Sequence, residues 1–183
     1  MVEESKRILI IGNGPTGKIG KQVDSGDALV LRFNDFKIAG FEEQVGTRTD
    51  IHFINGSLYL FSFLPGMMWS PPGAKVIAGE PRSGIRNAQL LNERARKSDE
   101  IIIDRTPPRV PIASSGLIAI FHYLGLGYDV AIAGFLQSDA HYWVKGGVKE
   151  DYGFASGRHD AALEREIIEG LVKYGSVRRV SED

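Results

Sequence analysis

The stretch Arg7-Ile-Leu-Ile-Ile-Gly-Asn-Gly-Pro-Thr-Gly17 is the part of this sequence that indicates the fold most directly. Its first five residues form an apolar, β-branched run that follows charged residues and ends at glycine, which is typical of a buried parallel strand. Gly12, Gly14 and Gly17 then have the G-x-G-x-x-G spacing. Glycines placed after a strand in this way let the backbone approach a phosphate group. The stretch therefore predicts the first strand and a glycine loop of an α/β protein.

Further strands and helices alternate along the rest of the chain. Apolar runs predict strands at 28–31, 50–54, 75–78, 100–103 and 129–133. Helices are predicted at 85–97, 114–124 and 160–174, whereas 58–64 fits either a strand or a helix and 40–48 reads as a loop. Strands that alternate with helices are typical of a mostly parallel sheet flanked by helices. The sequence therefore predicts a single Rossmann-like α/β domain over residues 1–183.

The composition is that of an ordinary globular protein and excludes several classes. The 183 residues are 43% hydrophobic and 25% charged. The net charge of -1 provides no general positive field, so no nucleic acid partner is expected. The chain has no cysteine, which excludes disulfides, thiolate nucleophiles and cysteine-ligated metals. It also has no apolar run of about 18 residues, so we expect a cytoplasmic protein without a membrane span.

Two features argue against a plain dinucleotide site at the glycine loop. Pro15 removes one backbone donor from the loop. The second strand ends at Arg32 and Asn34 where an acidic ribose ligand is expected, although Asp35 stands at about the right distance. Three interpretations stay open: an NAD(P) site, a turn without a ligand, and a site for another nucleotide at the carboxyl ends of the strands.

Four groups of residues occur in a fixed order along the chain. They are Ile11-Gly-Asn-Gly with 27–34, 40–41 and 45–50; Pro111-Ile-Ala-Ser-Ser-Gly with 128–135; His141-Tyr142; and His159 followed five positions later by Glu164. In this order they resemble the large, small, third and very small sialylmotifs of the sialyltransferases, glycosyltransferase family 29. The resemblance covers most of the chain, and four ordered motifs are far more specific than one glycine loop.

The resemblance implies an enzyme with a variant of the GT-A fold. Such an enzyme transfers an acidic sugar, either sialic acid or a Kdo-like sugar, from a CMP-sugar to a hydroxyl of a glycan or lipid-linked acceptor. It implies no metal and no other cofactor, with the CMP-sugar as a co-substrate. The four histidines of the chain include no i, i+4 pair beside a carboxylate cluster, which agrees with that expectation. A monomer and a homo-oligomer are both compatible with the sequence.

The chain departs from eukaryotic sialyltransferases in three respects. It lacks the cysteines that link their large and small motifs, it shows no anchor or stem, and it is shorter than their catalytic domains. The resemblance is therefore to a short, bacterial-type member. The alternative function is a catalytically inactive CMP-binding protein of the same fold, and a less favoured one is an NAD(P)-binding Rossmann protein.

The resemblance also assigns roles to individual residues. His159 is the expected general base, because a histidine that titrates near neutrality can take a proton from an acceptor hydroxyl. His141 is expected to stabilise charge near the donor phosphate, and Glu164 to support the local backbone. The expected donor-binding residues are Asn13, Gly14, Asn34, Ser114, Ser115, Gly116, Gly134, Phe135 and Tyr142.

Several candidates also have structural explanations. Ser114 is a normal helix N-cap, Asn13 suits a turn, and His141 fits an aromatic cluster with its neighbours. His52 and His122 lie in apolar patterns and are expected to be structural.

Several arginines are interpreted as solvated side chains rather than as anion ligands. Arg32, Arg48 and Arg105 lie near predicted loops, and Arg178 and Arg179 lie in the tail.

Overall fold

Seven parallel strands form one sheet in the computed structural model, which describes residues 6–55, 70–80, 98–103, 105–110, 112–135, 142 and 160–181. The strands are β1 (Arg7–Ile11), β2 (Leu29–Phe33), β3 (Ile51–Asn55), β4 (Lys75–Glu80), β5 (Glu100–Ile103), β6 (Asp129–Ala133) and β7 (Val177–Arg179). Their order is β5-β4-β3-β2-β1-β6-β7, and each of these pairings is parallel. Isoleucine and valine dominate the inner strands because both faces of the sheet are covered.

Four helices accompany the sheet in the described part of the chain. They are α1 (Gly20–Ser25), α2 (Glu42–Val45), α3 (Ser115–Gly125) and α4 (Ala161–Lys173). The Ser114 hydroxyl accepts from the backbone N–H of Leu117 at 3.2 Å, and the Asp160 carboxylate accepts from that of Leu163 at 3.0 Å. These caps satisfy N–H groups that the first turn of a helix leaves without an internal partner. They explain why α3 and α4 begin at these positions.

The hydrophobic core has one part on each face of the sheet. Successive residues of a strand point to opposite faces, so Ile8 and Ile10 join the larger part, whereas Leu9 and Ile11 join the smaller one. The larger part is covered by α3 and α4, and the smaller part packs against α1. The sheet is thus sandwiched between helices, as a Rossmann-like fold requires.

The predicted fold class is confirmed, and β1, β5 and β6 have the predicted bounds. The loop predicted at 40–48 is wrong, because these residues contain the short helix α2. Arg178 and Arg179 are exposed as expected, but they lie in β7, where they form ion pairs with Asp129 at 3.2 Å and Glu169 at 2.8 Å. The predictions for 58–64 and 85–97 lie outside the described residues.

The winding of the sheet reverses at β1, because β2 lies on one side of β1 and β6 lies on the other. In open α/β sheets, a crevice forms at such a reversal, outside the carboxyl ends of the strands, and ligands bind there. The loops that follow β1, β2 and β6 carry most of the expected donor-binding residues. The topology therefore brings these loops to one edge of the sheet.

Candidate functional site

The loops after β1 and β6 lie directly against each other. The backbone N–H of Gly12 donates to the carbonyl of Ala133 at 2.8 Å, and that of Gly14 donates to the carbonyl of Gly134 at 3.0 Å. Gly134 has a φ of +70°, and a Cβ there would lie 2.6 Å from the carbonyl oxygen of Gly12. A Cβ on Gly12 would lie 2.5 Å from the carbonyl oxygen of Gly134. The close approach of the two loops therefore requires glycine at both positions.

Phe135 connects these loops to the start of α3. A Cβ on Gly116 would lie 2.5 Å from Cε1 of the Phe135 ring, and a Cβ on Gly12 would lie 3.3 Å from its Cδ2. The ring also meets that of Phe33 edge-on, with 6.3 Å between centroids. Three of the expected donor-binding residues, Gly116, Gly134 and Phe135, are thus in one packed group beside the glycine loop.

Glu164, in the first turn of α4, bonds to Ser114 at the start of α3. Its Oε1 accepts from the backbone N–H of Ser114 at 2.7 Å, and its Oε2 accepts from the Ser114 hydroxyl at 2.6 Å. Glu164 is 4% exposed, so water scarcely competes for these bonds. Hydrogen bonds to a carboxylate are about twice as strong as neutral ones. The carboxylate thereby fixes the residue that caps α3.

Glu164→Ala is expected to lower the free energy of unfolding by about 3 kcal/mol, because it leaves the half-buried N–H and hydroxyl of Ser114 without their acceptor. Urea unfolding measures this loss. The matched control is Glu166→Ala in the same helix, where an exposed carboxylate lies 3.7 Å from Arg109. An exposed ion pair contributes little to stability, so Glu166→Ala is expected to change the free energy of unfolding by no more than about 0.5 kcal/mol. Equal small losses in both variants would contradict the assigned role of Glu164.

Tyr142 holds the loops after β1 and β2 together. Its backbone N–H donates to the carbonyl of Asn13 at 2.9 Å. Its hydroxyl accepts from the backbone N–H of Lys37 at 3.1 Å and donates to the carbonyl of the same residue. Its ring meets Phe41 edge-on at 5.4 Å, and burial raises the pKa of Tyr142 to about 12. The hydroxyl therefore stays protonated near neutral pH and bonds to the backbone of Lys37. The expected contact of Tyr142 with the donor stays a prediction.

Asn34 stands at the carboxyl end of β2 with a left-handed backbone. Its φ is +47°, and no other non-glycine residue in the described part of the chain has a positive φ. Its backbone N–H donates to the carbonyl of Phe53 at 2.8 Å, and its carbonyl lies 2.8 Å from Nε2 of His52. Asparagine tolerates this conformation better than most residues. Both neighbours are in β3, so β3 determines how Asn34 is presented.

Arg32 is buried, which corrects the expectation of a solvated side chain. It is 1% exposed, and its Nε donates to the Arg48 carbonyl and the Thr49 hydroxyl, both at 3.0 Å. Its Nη2 donates to the carbonyls of Val45 at 2.5 Å and Gly46 at 3.2 Å. Burial lowers the pKa of Arg32 to about 10, so it remains charged at neutral pH. The guanidinium therefore links residues 45–49, at the end of α2 and just after it, to β2.

Arg48 is likewise structural. Its guanidinium donates to the carbonyls of Gly26 and, at 3.1 Å, Ala28, and it pairs with Asp50 at 3.0 Å. Arg105 is exposed, as expected.

The two expected catalytic residues, His141 and His159, lie outside the described residues. Ser115 is the first residue of α3. His52 and His122 are both buried, and His122 lies 3.8 Å from Glu100, where burial lowers its pKa. Among the described residues, no group of three or more His, Asp or Glu side chains is placed to hold a metal ion, and no helix there is long and apolar enough to cross a membrane.

A cavity of about 260 Å³ adjoins the glycine loop at the ends of β1, β6 and β7. Its lining comprises Pro15, Thr16, Gly17, Ile132, Ala133, Gly134, Phe135, Arg179, Val180 and Ser181. Arg179 is the one charged residue of this lining, and it pairs with Glu169 at 2.8 Å. The cavity is otherwise largely apolar, so it offers a phosphate few polar partners.

Comparison with known proteins supports the family recognised from the motifs. Residues 3–78 match the family described as "Glycosyltransferase family 29 (sialyltransferase)". The chain is 26% identical over 203 aligned positions to CMP-N-acetylneuraminate-beta-galactosamide-alpha-2,3-sialyltransferase 2 of Mus musculus and equally to that of Rattus norvegicus. These alignments cover 96% of this chain but 57% of each relative, so the chain spans little more than half their length. These matches confirm the resemblance to glycosyltransferase family 29 that the motifs indicated.

Solved structures show the same fold. A mammalian sialyltransferase in complex with Gal-beta-1-3GalNAc-ortho-nitrophenol superposes with a TM-score of 0.61 at 18% identity, over 98% of this chain and 70% of that one. A variant of the sialyltransferase CST-II in complex with CMP superposes with a TM-score of 0.56 at 16% identity, over 96% and 80% of the respective chains. At these identities the likeness concerns the fold.

Proposed function

We propose that this protein is a glycosyltransferase that takes an acidic sugar, sialic acid or a Kdo-like sugar, from a CMP-sugar and transfers it to a hydroxyl of a glycan or lipid-linked acceptor. One observation carries the proposal. Segments that resemble separate sialylmotifs converge at the crevice between β1 and β6, through the contacts of Gly12 with Gly134, Tyr142 with Asn13, and Glu164 with Ser114. Binding at such a crevice is the general behaviour of open α/β sheets.

The nucleotide is proposed to bind through Asn13 and Asn34. A side-chain amide both donates and accepts hydrogen bonds, so it can contact phosphate, ribose or the cytosine edge. Backbone bonds hold both residues in place, from Tyr142 to the carbonyl of Asn13 and from β3 to Asn34. The start of α3 supplies backbone N–H groups and a positive helix end for an anion, and these belong to Ser115 and Gly116, because the N–H of Ser114 already donates to Glu164.

The proposed reaction needs a base and a stabilised leaving group. His159 accepts the proton of the acceptor hydroxyl, whose oxygen forms a bond to the anomeric carbon of the sugar as the bond from that carbon to the CMP phosphate breaks. His141 stabilises the charge that develops on the departing CMP. The proposal includes no metal and no further cofactor.

CMP is expected to raise the melting temperature of the wild-type protein by about 5–10 °C when it is present at a hundredfold excess over its dissociation constant. That excess corresponds to about 2.7 kcal/mol of stabilisation. For a domain of this size, each kcal/mol raises the melting temperature by about 2–4 °C. A thermal-shift panel of CMP, CDP, NADH and NADPH measures this. Stabilisation by the reduced dinucleotides and not by CMP would contradict the proposal and favour an NAD(P)-binding protein.

The second candidate function is an inactive CMP-binding protein, because the contacts that carry the proposal, Gly12 with Gly134 and Tyr142 with Asn13, concern nucleotide binding and not turnover. The two candidates differ in turnover. CMP release from CMP-sialic acid and from CMP-Kdo, with and without glycan and lipid-linked acceptors, separates them. CMP binding without release from either donor would overturn the enzyme proposal and leave the second candidate.

A further inference from the structure

His52 is a buried histidine that the proposed reaction does not use. Its side chain is 0% exposed in β3, with Nδ1 2.5 Å from the hydroxyl oxygen of Ser70 and Nε2 2.8 Å from the carbonyl oxygen of Asn34. A carbonyl only accepts hydrogen bonds, so the neutral ring carries its proton on Nε2 and accepts from the Ser70 hydroxyl at Nδ1. The ring therefore joins the segment that precedes β4 to the carboxyl end of β2.

We propose that His52 is a positioning residue that sets the geometry of Asn34 for donor binding. This inference rests on the proposed function, because it concerns the same nucleotide. A left-handed backbone outside glycine costs free energy and persists only where neighbouring groups over-determine it. At Asn34 those groups are the Phe53 carbonyl, which accepts its N–H, and His52, which donates to its carbonyl. Fixing the peptide groups on both sides fixes the direction of the Asn34 side chain.

The His52 ring is itself held on more than one side. The ring of Phe36 meets it edge-on, with 5.3 Å between centroids and an interplanar angle of 87°. The same Phe36 ring lies 5.6 Å from the guanidinium carbon of Arg32, the residue paired with His52 across β2 and β3. Ser70 fixes the remaining nitrogen. The imidazole therefore has one orientation in which its Nε2–H reaches Asn34, and a side chain of similar size without a donor cannot replace it.

The test compares His52→Leu with His52→Gln by measuring the dissociation constant for CMP. Leucine fills the space but donates no hydrogen bond, so the dissociation constant is expected to rise about tenfold. Glutamine places an amide N–H near the position of Nε2, so it is expected to keep the affinity within about threefold of wild type. The matched control is His122→Leu, which removes another buried histidine away from the site. It is expected to lower the melting temperature while leaving CMP affinity unchanged.

A double-mutant cycle separates positioning from general destabilisation. Asn34→Ala removes the amide, so adding His52→Leu to it is expected to weaken CMP binding little further. Fully additive losses, or an unchanged affinity in His52→Leu, would overturn the positioning role alone. Absence of CMP binding by the wild type would overturn the proposed function and this inference with it. If His52→Leu does not fold, Ser70→Ala tests the proposal instead, because it removes the partner of Nδ1 of His52. A twofold to threefold loss of CMP affinity, about half the free energy of a tenfold loss, supports the proposal. An unchanged CMP affinity overturns it.

Discussion

Gly134→Ala is expected to lower the free energy of unfolding by about 3 kcal/mol. Two costs add at this position. The φ of +70° costs a residue with a Cβ about 1–2 kcal/mol. The added Cβ would also lie 2.6 Å from the carbonyl oxygen of Gly12 and 2.9 Å from that of Gly14, and overpacking of this kind costs about 1–3 kcal/mol. Both contacts are with backbone, so no flexible side chain can move aside, and urea unfolding measures the loss.

Two other glycines separate these costs. Gly127 has a φ of +77° and no atom within 4 Å of an added Cβ. Gly127→Ala is therefore expected to lower the free energy of unfolding only by the cost of the left-handed backbone, about 1 kcal/mol. Gly170 lies inside α4, and an added Cβ there would meet no atom within 4 Å. Gly170→Ala is therefore expected to raise the free energy of unfolding by about 0.5–1 kcal/mol, because alanine has the higher helix propensity. A loss in Gly134→Ala no greater than that in Gly127→Ala would show that the loops after β1 and β6 are not tightly apposed.

The fold was largely predictable because its main elements carry local signals. The apolar runs of β1 and β6 belong to strands with a parallel neighbour on each side, and that of β5 belongs to the edge strand beside β4. Such runs are recognisable in sequence. Ser114 and Asp160 mark helix starts through capping, which is also a local effect. The strand β7 has three residues and one buried side chain, Val177, so it is too short to show a period. It forms because β6 offers it a partner.

The candidate site was predictable as a set of loops but not as a set of contacts. The order of the motifs indicated which segments meet, whereas the bonds between Glu164 and Ser114 join residues 50 positions apart and leave no local pattern. Arg32 lies one residue beyond the predicted strand 28–31 but inside β2, and it is buried because both faces of the sheet are covered. The bond from His52 to Asn34 depends on the packing of β3 beside β2, which only the tertiary structure defines.

His159→Ala is expected to lower the rate of sugar transfer by about 10²–10⁴-fold, the usual contribution of a general base. CMP affinity is expected to stay within about threefold of wild type, because the role proposed for His159 concerns the acceptor hydroxyl and not the nucleotide. In the sequence, His159 immediately precedes Asp160, the N-cap of α4. The first turn of α4 is bonded through Glu164 to Ser114, beside the proposed donor-binding residues. Steady-state kinetics with a CMP-sugar and its acceptor measure the rate, and a binding titration measures the affinity.

The kinetic pattern of His159→Ala distinguishes a base from a binding residue. Loss of an interaction made only in the transition state lowers kcat and kcat/KM together, whereas loss of uniform binding raises KM and leaves kcat unchanged. The proposal requires the first pattern. His122→Ala is the control, because His122 is 8% exposed within α3 and its removal is expected to affect stability without lowering kcat at temperatures where the variant is folded. A raised KM with an unchanged kcat in His159→Ala would assign His159 to substrate binding and leave the reaction without its proposed base.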